Sequence, residues 1–382
     1  DVAPSRGLGD VYKRQLQNLS YDEQLHLKQA TAIRLLGRFG HVEEIIGMKD
    51  PYHYRNKVQA AFYTDKKGKI ISGVYQSGSH HVVGIDSCQT EDVIADKIIV
   101  AVRKLLPSFR MTTYNEDTGK GFLRHILVKR GFATNQIMLV LVTGTPVFPS
   151  KNNFVKAILK QFPEITTIVQ NINPYRTNLV LGDNQKVLYG KGYIEDILCG
   201  CRFRISPKSF YQINPVQTEV LYGKAIEFAN LKGNETVLDT YCGIGTIGII
   251  AAKNGAGNVI GAELNGDAVR DAIVNARANN LKNIRFYKAD AGEFMREAAD
   301  EDEKPDVVFM DPPRAGSDRK FLNSLIKMSP KKVVYVSCNP ETLARDLAYL
   351  TQNSPYKAQK IQPVDMFPHT AHIETVVLMS RK

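Results

Sequence analysis

Apolar and polar positions along this 382-residue chain follow two periods in turn. Residues 18–48, with "LSYDEQLHLKQATAIRLLGRF", carry helical spacing, and Ser20 followed by Glu23 has the spacing of a capping box. Over 54–88 the period drops to two in "KVQAAFYTD", "KIISGVYQ" and "HHVVGID", which predicts strands split by Gly and charged turns. A helix is predicted over 90–106 and another over 151–162. Around the second lie alternating runs, "LRHILVKR", "QIMLVLVTG", "ITTIVQNIN", "NLVLG" and "VLYGKGYIEDIL". This part reads as a mixed, mostly antiparallel α+β module.

From about residue 205 the pattern becomes strand–helix in regular alternation. The short apolar runs "TVLDTY", "NVIGAE", "IRFYKAD", "DVVFMD" and "VVYVSC" are each followed by a helical segment. That order predicts a parallel, doubly wound α/β sheet. The tail "KIQPVDMFPHTAHIETVVLMSRK" adds two strands, expected as an antiparallel edge pair. Three regions follow: a helical N-terminal segment at 1–49, a central α+β module at 50–204 and a doubly wound domain at 205–382.

Composition narrows the class. Hydrophobic residues make up 43% and charged residues 23%, ordinary for a globular protein, and no apolar run reaches the length of a membrane span. The start, "DVAPSRGLGDVYKRQ", lacks the apolar core of a signal peptide, and it also lacks an initiator Met. Five cysteines do not make a disulfide scaffold in a chain this long, which fits a reducing, cytoplasmic setting. Net charge is +11, unevenly spread: residues 1–204 hold 28 Lys and Arg against 18 acids, the remainder 22 against 21. A basic module beside a neutral one suggests that one half grips a polyanion and the other does chemistry; a merely solubilising surface is the equal alternative on charge alone.

The chemistry-bearing residues cluster at predicted strand ends. "VLDTYCGIGTIGI" ends the first strand at Asp239 and turns into a helix through Gly243, Gly245 and Gly248, letting a ligand approach backbone N–H groups. Glu263 follows Gly245 by 18 residues, where a carboxylate holds ribose hydroxyls, a feature shared with NAD sites. Asp290 ends the third strand, suited to an adenine amino group, and Asp311 ends the fourth in "DPPRAG". Each alone fits a helix cap; four in a row fit the ligand rim of an open sheet. Cys338 ends the fifth strand, and is either a small core residue or a nucleophile there; the helix beginning near Glu341 is placed to lower its pKa. Cys199, Cys201 and Cys242 read as structural.

"LDTYCGIGTIG", "DPPRAG", "SCNPETLARD" and "HTAHIETVVLM" closely resemble the RNA (uracil-5-)-methyltransferases, class I S-adenosylmethionine-dependent enzymes. "YRNKVQ" and "FRISPKSFYQINPVQTEVLY" resemble the bacterial 23S rRNA type, and the resemblance runs from about residue 16 to the end. It implies a Rossmann-like methyltransferase domain behind an RNA-binding module. It implies methylation of uridine C5 in 23S rRNA, with Cys338 adding to C6 and Glu374 removing the C5 proton. S-adenosylmethionine is expected on Gln212, Tyr241, Glu263 and Asp311, with Asp290 a weaker candidate. His369 and His372 are expected in structural or RNA-contact roles rather than as bases. Arg314 and Arg345 either meet phosphates or form surface ion pairs. Arg55, Asn56 and Lys57, beside aromatics in "PYHYRNK", suit RNA contact. The expected partner is RNA, 23S rRNA first, with neither membrane nor DNA, and the chain is expected to be a monomer.

Two departures from the family pattern stand out. Many relatives begin with a small β-barrel RNA-binding domain, and the first residues here do not match one. Many also hold a [4Fe–4S] cluster on four cysteines; Cys88 matches the last of these, and "GDVYKRQ" stands where the first three belong. The expectation is therefore a truncated or altered start, no cluster on this chain's own cysteines and Cys88 as a remnant. The tRNA-directed relative shares the chemistry and is the nearest alternative target. A catalytically idle RNA-binding protein, a cytosine-5 methyltransferase and a NAD enzyme fit the motifs less well.

Overall fold

A computed structural model describes residues 16–76, 79–177, 179–301 and 304–381. The expected features of residues 1–15 lie outside the described residues. The chain divides into two compact units, one formed by 51–197 and 205–208, the other by 16–50, 198–204 and 209–382. This grouping differs from the three regions read from the sequence, because residues 16–50 cluster with the C-terminal sheet. The predicted helix at 18–48 is also shorter: α1 spans Tyr21–Leu36, opened by the Ser20–Glu23 capping box. Beyond it, Val42 and Ile46 make isolated parallel bridges to Ile361 and Val364.

The central unit contains β1 (Lys57–Thr64), β2 (Ile70–Tyr75), β3 (Val82–Gly84), α2 (Val93–Leu105), β4 (Leu123–Arg130), β5 (Ile137–Thr143), α3 (Lys151–Gln161), β6 (Ile165–Ile172) and β7 (Asn184–Tyr189). The sheet order is β3-β2-β1-β4-β5-β6-β7, and only β5–β6 is parallel. Val58, Ala60 and Phe62 of β1 share a cluster with Ile98 and Val102 of α2 and Phe154 of α3. Asp92 caps α2 by accepting from the N–H groups of Ile94 and Ala95. In the stretch singled out for RNA contact, Tyr54 and Asn56 are buried. A two-stranded sheet follows, β8 (Ile194–Leu198) with β9 (Cys201–Ile205).

The second unit adds α4 (Pro215–Ala229), β10 (Thr236–Asp239), α5 (Thr246–Lys253), β11 (Asn258–Glu263), α6 (Gly266–Ala278), β12 (Ile284–Lys288), α7 (Ala291–Asp300), β13 (Val307–Met310), α8 (Arg319–Met328), β14 (Lys332–Ser337), α9 (Pro340–Asn353), β15 (Tyr356–Val364) and β16 (Glu374–Arg381). The sheet order is β12-β11-β10-β13-β14-β16-β15, parallel from β10 through β14, with β16 antiparallel to both of its neighbours. Strands β13 and β14 are buried almost throughout because helices cover both faces, which explains their unbroken apolar runs. Phe321, Leu325, Tyr335, Leu347, Ile361 and Val377 lie in one core. Truncating Leu325, fully buried, to Ala costs about 2–5 kcal/mol by transfer and cavity terms. That packing fixes the carboxyl rim of the parallel strands. Because β16 runs the other way, it is its beginning that reaches the same rim.

Candidate active site

Register places the site's reactive groups. Phe309 on β13 is the Cα partner of Asp239 on β10, so Asp311 lies two residues further along toward the rim. On the other side Met310 pairs with Tyr335 of β14. Ser337 is the partner of Thr375, and one more step of this antiparallel register sets Cys338 against Glu374. Asn339 caps α9 through the Glu341 N–H, and Pro340 occupies its first turn, so the chain turns sharply just beyond the thiol.

The electrostatics of this group are unusual for a protein interior. Cys338 is half-buried, and its thiol is pushed up to about 12 by burial first and then by Glu374 and Asp311; Arg314 pulls the other way. The helix start was placed to lower this pKa, but loss of water and two carboxylates outweigh it. Glu374 is buried and held well above the usual carboxylate range by burial and by Asp311. Asp311 is raised to about 7 by burial. Burial thus favours both the thiol and the Glu374 acid as neutral groups.

The loop after β13 is pinned by α9. Asn339 Nδ2 and Thr342 Oγ1 donate to the Arg314 carbonyl at 3.3 and 3.2 Å. Asp346 accepts from the Ser317 N–H at 2.9 Å and from the Tyr335 hydroxyl at 2.7 Å. Arg345 pairs with Asp346 and donates to the carbonyls of Ala315 and Ser317, so its guanidinium braces this loop rather than reaching outward for phosphate. The Arg314 side chain is exposed.

On the cofactor side, Gly243 and Gly245 have φ of +55° and +82°, conformations that favour glycine. A Cβ at Gly243 would meet open space, while one at Gly245 would strike Phe286. Glu263 accepts from the Gly243 N–H at 3.1 Å and the Asn265 N–H at 2.7 Å, which holds its carboxylate beside the glycine turn. The Tyr241 hydroxyl lies 3.4 Å from Ser317 Oγ and its ring against Phe321. Gln212 does not cap α4, a role taken by Asn214; its amide donates to the Tyr222 hydroxyl at 3.3 Å. Asp290 is exposed and caps α7, accepting from Gly292 and Glu293. Buried Asp239 is raised to about 7, chiefly by burial; its Oδ2 accepts from Gly248 and its Oδ1 has no hydrogen-bond partner. An orphaned carboxylate oxygen, an open glycine turn and several acids suit a cationic, adenosine-bearing ligand such as S-adenosylmethionine.

Tyr222 belongs to this group although the sequence did not single it out, beside Asp239, which was read there as one of the four polar strand ends. Tyr222 sits among the apolar positions of α4 and reads there as core; the acids facing it, Asp311, Glu374 and Asp239, come together only in the fold. His369 is buried and its Nδ1 lies 3.2 Å from Gln24, while the His372 ring packs edge-on to Phe367. Cys88, in the central unit, is buried, with its sulfur 3.3 Å from Thr90 Oγ1. Burial also raises Cys199 and Cys242, consistent with structural thiols. Among the described residues no helix is long and apolar enough to cross a membrane.

A doubly wound sheet with an added antiparallel strand, and a rim bearing a glycine turn and a ribose-type carboxylate, define a class I S-adenosylmethionine-dependent methyltransferase. The sequence profile of the tRNA (Uracil-5-)-methyltransferase family matches residues 177–382. An uncharacterized RNA methyltransferase of Bacillus cereus is 44% identical over 372 residues, covering 96% of this chain and 80% of that protein. One from Listeria monocytogenes is 45% identical over 368 residues, covering 95% and 80%. The crystal structure of Pyrococcus abyssi tRNA (uracil-54, C5)-methyltransferase with S-adenosyl-L-homocysteine superposes with a TM-score of 0.80 at 30% identity, covering 95% of this chain and 84% of that one. This chain therefore belongs to the RNA (uracil-5-)-methyltransferase family and is an S-adenosylmethionine-dependent RNA methyltransferase.

Proposed function

We propose that this chain methylates C5 of a uridine in 23S rRNA through a covalent bond between Cys338 and C6. The observation that carries the chemistry is the Ser337–Thr375 register, which brings Cys338 and Glu374 to one rim where Glu374 and Asp311 act on the thiol and Asp311 acts on Glu374. C5 of uracil is a poor nucleophile. As the Cys338 thiolate, its proton released to solvent, bonds to C6, the C5–C6 π pair moves into an enolate, which makes C5 nucleophilic. Bound S-adenosylmethionine supplies the electrophilic methyl group that C5 takes up. Glu374 then accepts the C5 proton, the C–H pair restores the C5–C6 double bond, and the C6–S bond breaks to return the Cys338 thiolate. Buried and shielded from water, Glu374 is a stronger base once ionised than an exposed carboxylate. Since burial favours the neutral form of both groups, we assign their activation to the bound RNA and cofactor.

Gln212, Tyr241, Glu263 and Asp311 are the residues we assign to the cofactor, with Asp239 and Tyr222 beside them and Asp290 at the adenine end. The basic central unit is assigned to RNA, since a base must leave its stack to reach a buried thiol. The rRNA target rests on the motif wording of "YRNKVQ" and "FRISPKSFYQINPVQTEVLY". A second target, tRNA, is favoured by the archaeal structure, whose enzyme acts on tRNA uracil-54. Transfer of labelled methyl to 23S rRNA and tRNA transcripts, side by side, tests this. Labelling of rRNA alone supports the reading, labelling of tRNA alone moves the target, and labelling of neither overturns the function.

A further inference from the structure

Helix α1 buries a polar stripe where an apolar one would serve a core better. Tyr21, Gln24 and Lys28 follow at helical spacing, ahead of the buried apolar Ala32 and Leu36. All three polar side chains engage the nine-residue loop 365–373, which joins β15 to β16 and ends at Glu374. Lys28 Nζ donates to Asp365 Oδ1 at 2.6 Å and to the Phe367 carbonyl at 3.1 Å. The Tyr21 hydroxyl donates to Asp365 Oδ2 at 3.0 Å and accepts from the Met48 N–H at 2.6 Å. Gln24 Oε1 accepts from the His369 N–H at 2.8 Å. Lys28 and Asp365 have side-chain exposures of 2% and 0%.

Burying an ion pair costs several kcal/mol of desolvation, and apolar residues of similar size are often as stable. The pair's location offers a reason to keep it. Val364 is the Cα partner of Glu374, so Asp365 begins the loop directly across from the residue that ends it. From α4, Asn214 and Gln217 donate to the carbonyls of Met366 and Asp365. His369 adopts φ of +68°, a conformation that needs such support in a residue other than glycine.

We propose that Lys28, with Asp365 and Gln24, is a positioning residue that fixes the 365–373 loop and thereby aims the Glu374 carboxylate at the C5 proton. This rests on the assignment of Glu374 as the base. Lys28 acts after the covalent bond has formed, so its loss slows resolution of the adduct and spares its formation.

The experiment uses the full chain, S-adenosylmethionine, and whichever transcript, rRNA or tRNA, the wild-type chain methylates. It is made with [5-³H]uridine or with 5-fluorouridine, which has no C5 proton and traps the adduct without any base. Lys28→Met leaves Asp365 buried and unpaired, so Gln24→Leu and the neutral pair Lys28→Met/Asp365→Asn are measured beside it. In variants that melt cooperatively, tritium release is expected to fall about tenfold or more and the covalent fraction on uridine RNA to rise in step, because a misplacement of about 1 Å is costly. Adduct formation on 5-fluorouridine RNA should stay within about twofold of wild type. Equal slowing on both RNAs marks a general structural defect and overturns the proposal, as does an unchanged covalent fraction on uridine RNA. Glu374→Gln is the control: if it traps nothing on uridine RNA while 5-fluorouridine RNA is trapped normally, the base assignment itself fails, whatever Lys28 does.

Discussion

In the central unit, buried Arg124 and Asp92 each sit in an ion pair; at the rim of the methyltransferase sheet three clustered acids do not. Arg124, 1% exposed, grips Glu116 through two hydrogen bonds of 3.0 and 2.7 Å, donates to the carbonyls of Asn173 and Tyr175, and stacks on the Tyr114 ring. Arg130 pairs with Asp92, which also caps α2. In the second unit Asp239, Asp311 and Glu374 crowd together, all with raised pKa and none with an ion-pair partner among the described residues. Paired charge satisfies itself and holds a scaffold. Unpaired acids in a folded interior persist where a ligand or a reaction supplies what is missing.

The largest expected effect breaks the reactive end of the comparison. Cys338→Ala should lower methyl transfer by about 10⁴-fold or more and form no covalent complex, measured with labelled cofactor and by denaturing gel. Activity within tenfold of wild type would remove the thiol from the chemistry. Next comes the scaffold: Arg124→Met strands Glu116 and two carbonyls, and should cost about 3–5 kcal/mol in urea unfolding. A loss under about 1 kcal/mol would mean that the pair is not holding the central unit.

His125 in the central unit and the rim acids of the second unit should answer pH in opposite directions. His125 is buried and neutral, its pKa pushed down to about 3 by burial and by Arg124. The unfolded ring binds a proton that the folded one refuses, so the contribution of His125 is lost as pH falls from about 6.5 toward 3, while Asp96 in the same unit, raised to about 6 by burial, loses its contribution as pH rises. Asp311 and Asp239, at about 7 against an ordinary 3.8, retain in the folded state protons that the unfolded chain has released. The second unit, without cofactor, therefore loses stability as pH climbs from about 4 to 7. Amide exchange resolved along the chain reads both windows in one protein. Asp311→Asn should flatten the second window, raise the melting temperature at pH 8 by a few degrees and weaken cofactor binding. A lower melting temperature at pH 8 would contradict the unpaired-charge account. The smallest effect belongs to Asp290: Asp290→Ala should cost about 1 kcal/mol through loss of the α7 cap, and Asp290→Asn should restore it.

The same contrast decides what the sequence could show. Strands β10, β13 and β14 were readable because a parallel sheet buried on both faces demands continuous apolar runs, and their ends marked the rim. Glu263, Asp311 and Cys338 stood at predicted strand ends, whereas Glu374 and the roles of both it and Cys338 came from the family resemblance. The length of α1 was not readable, because segment 37–50 takes its shape from bridges to β15, more than 300 residues away in sequence. Tyr222 and Lys28 were hidden for a related reason: a polar residue on a helix declares its role only when the group it faces is known. The expectation that α9 lowers the thiol pKa missed the two acids that only the fold brings near.

The most direct measurement is peptide mapping by mass spectrometry of the Glu374→Gln chain after incubation with S-adenosylmethionine and unmodified RNA. The account predicts a methylated nucleotide bonded to the peptide that carries Cys338, accumulating because its C5 proton cannot be removed. Free RNA with no adduct, or a nucleotide bonded to any other residue, would contradict it.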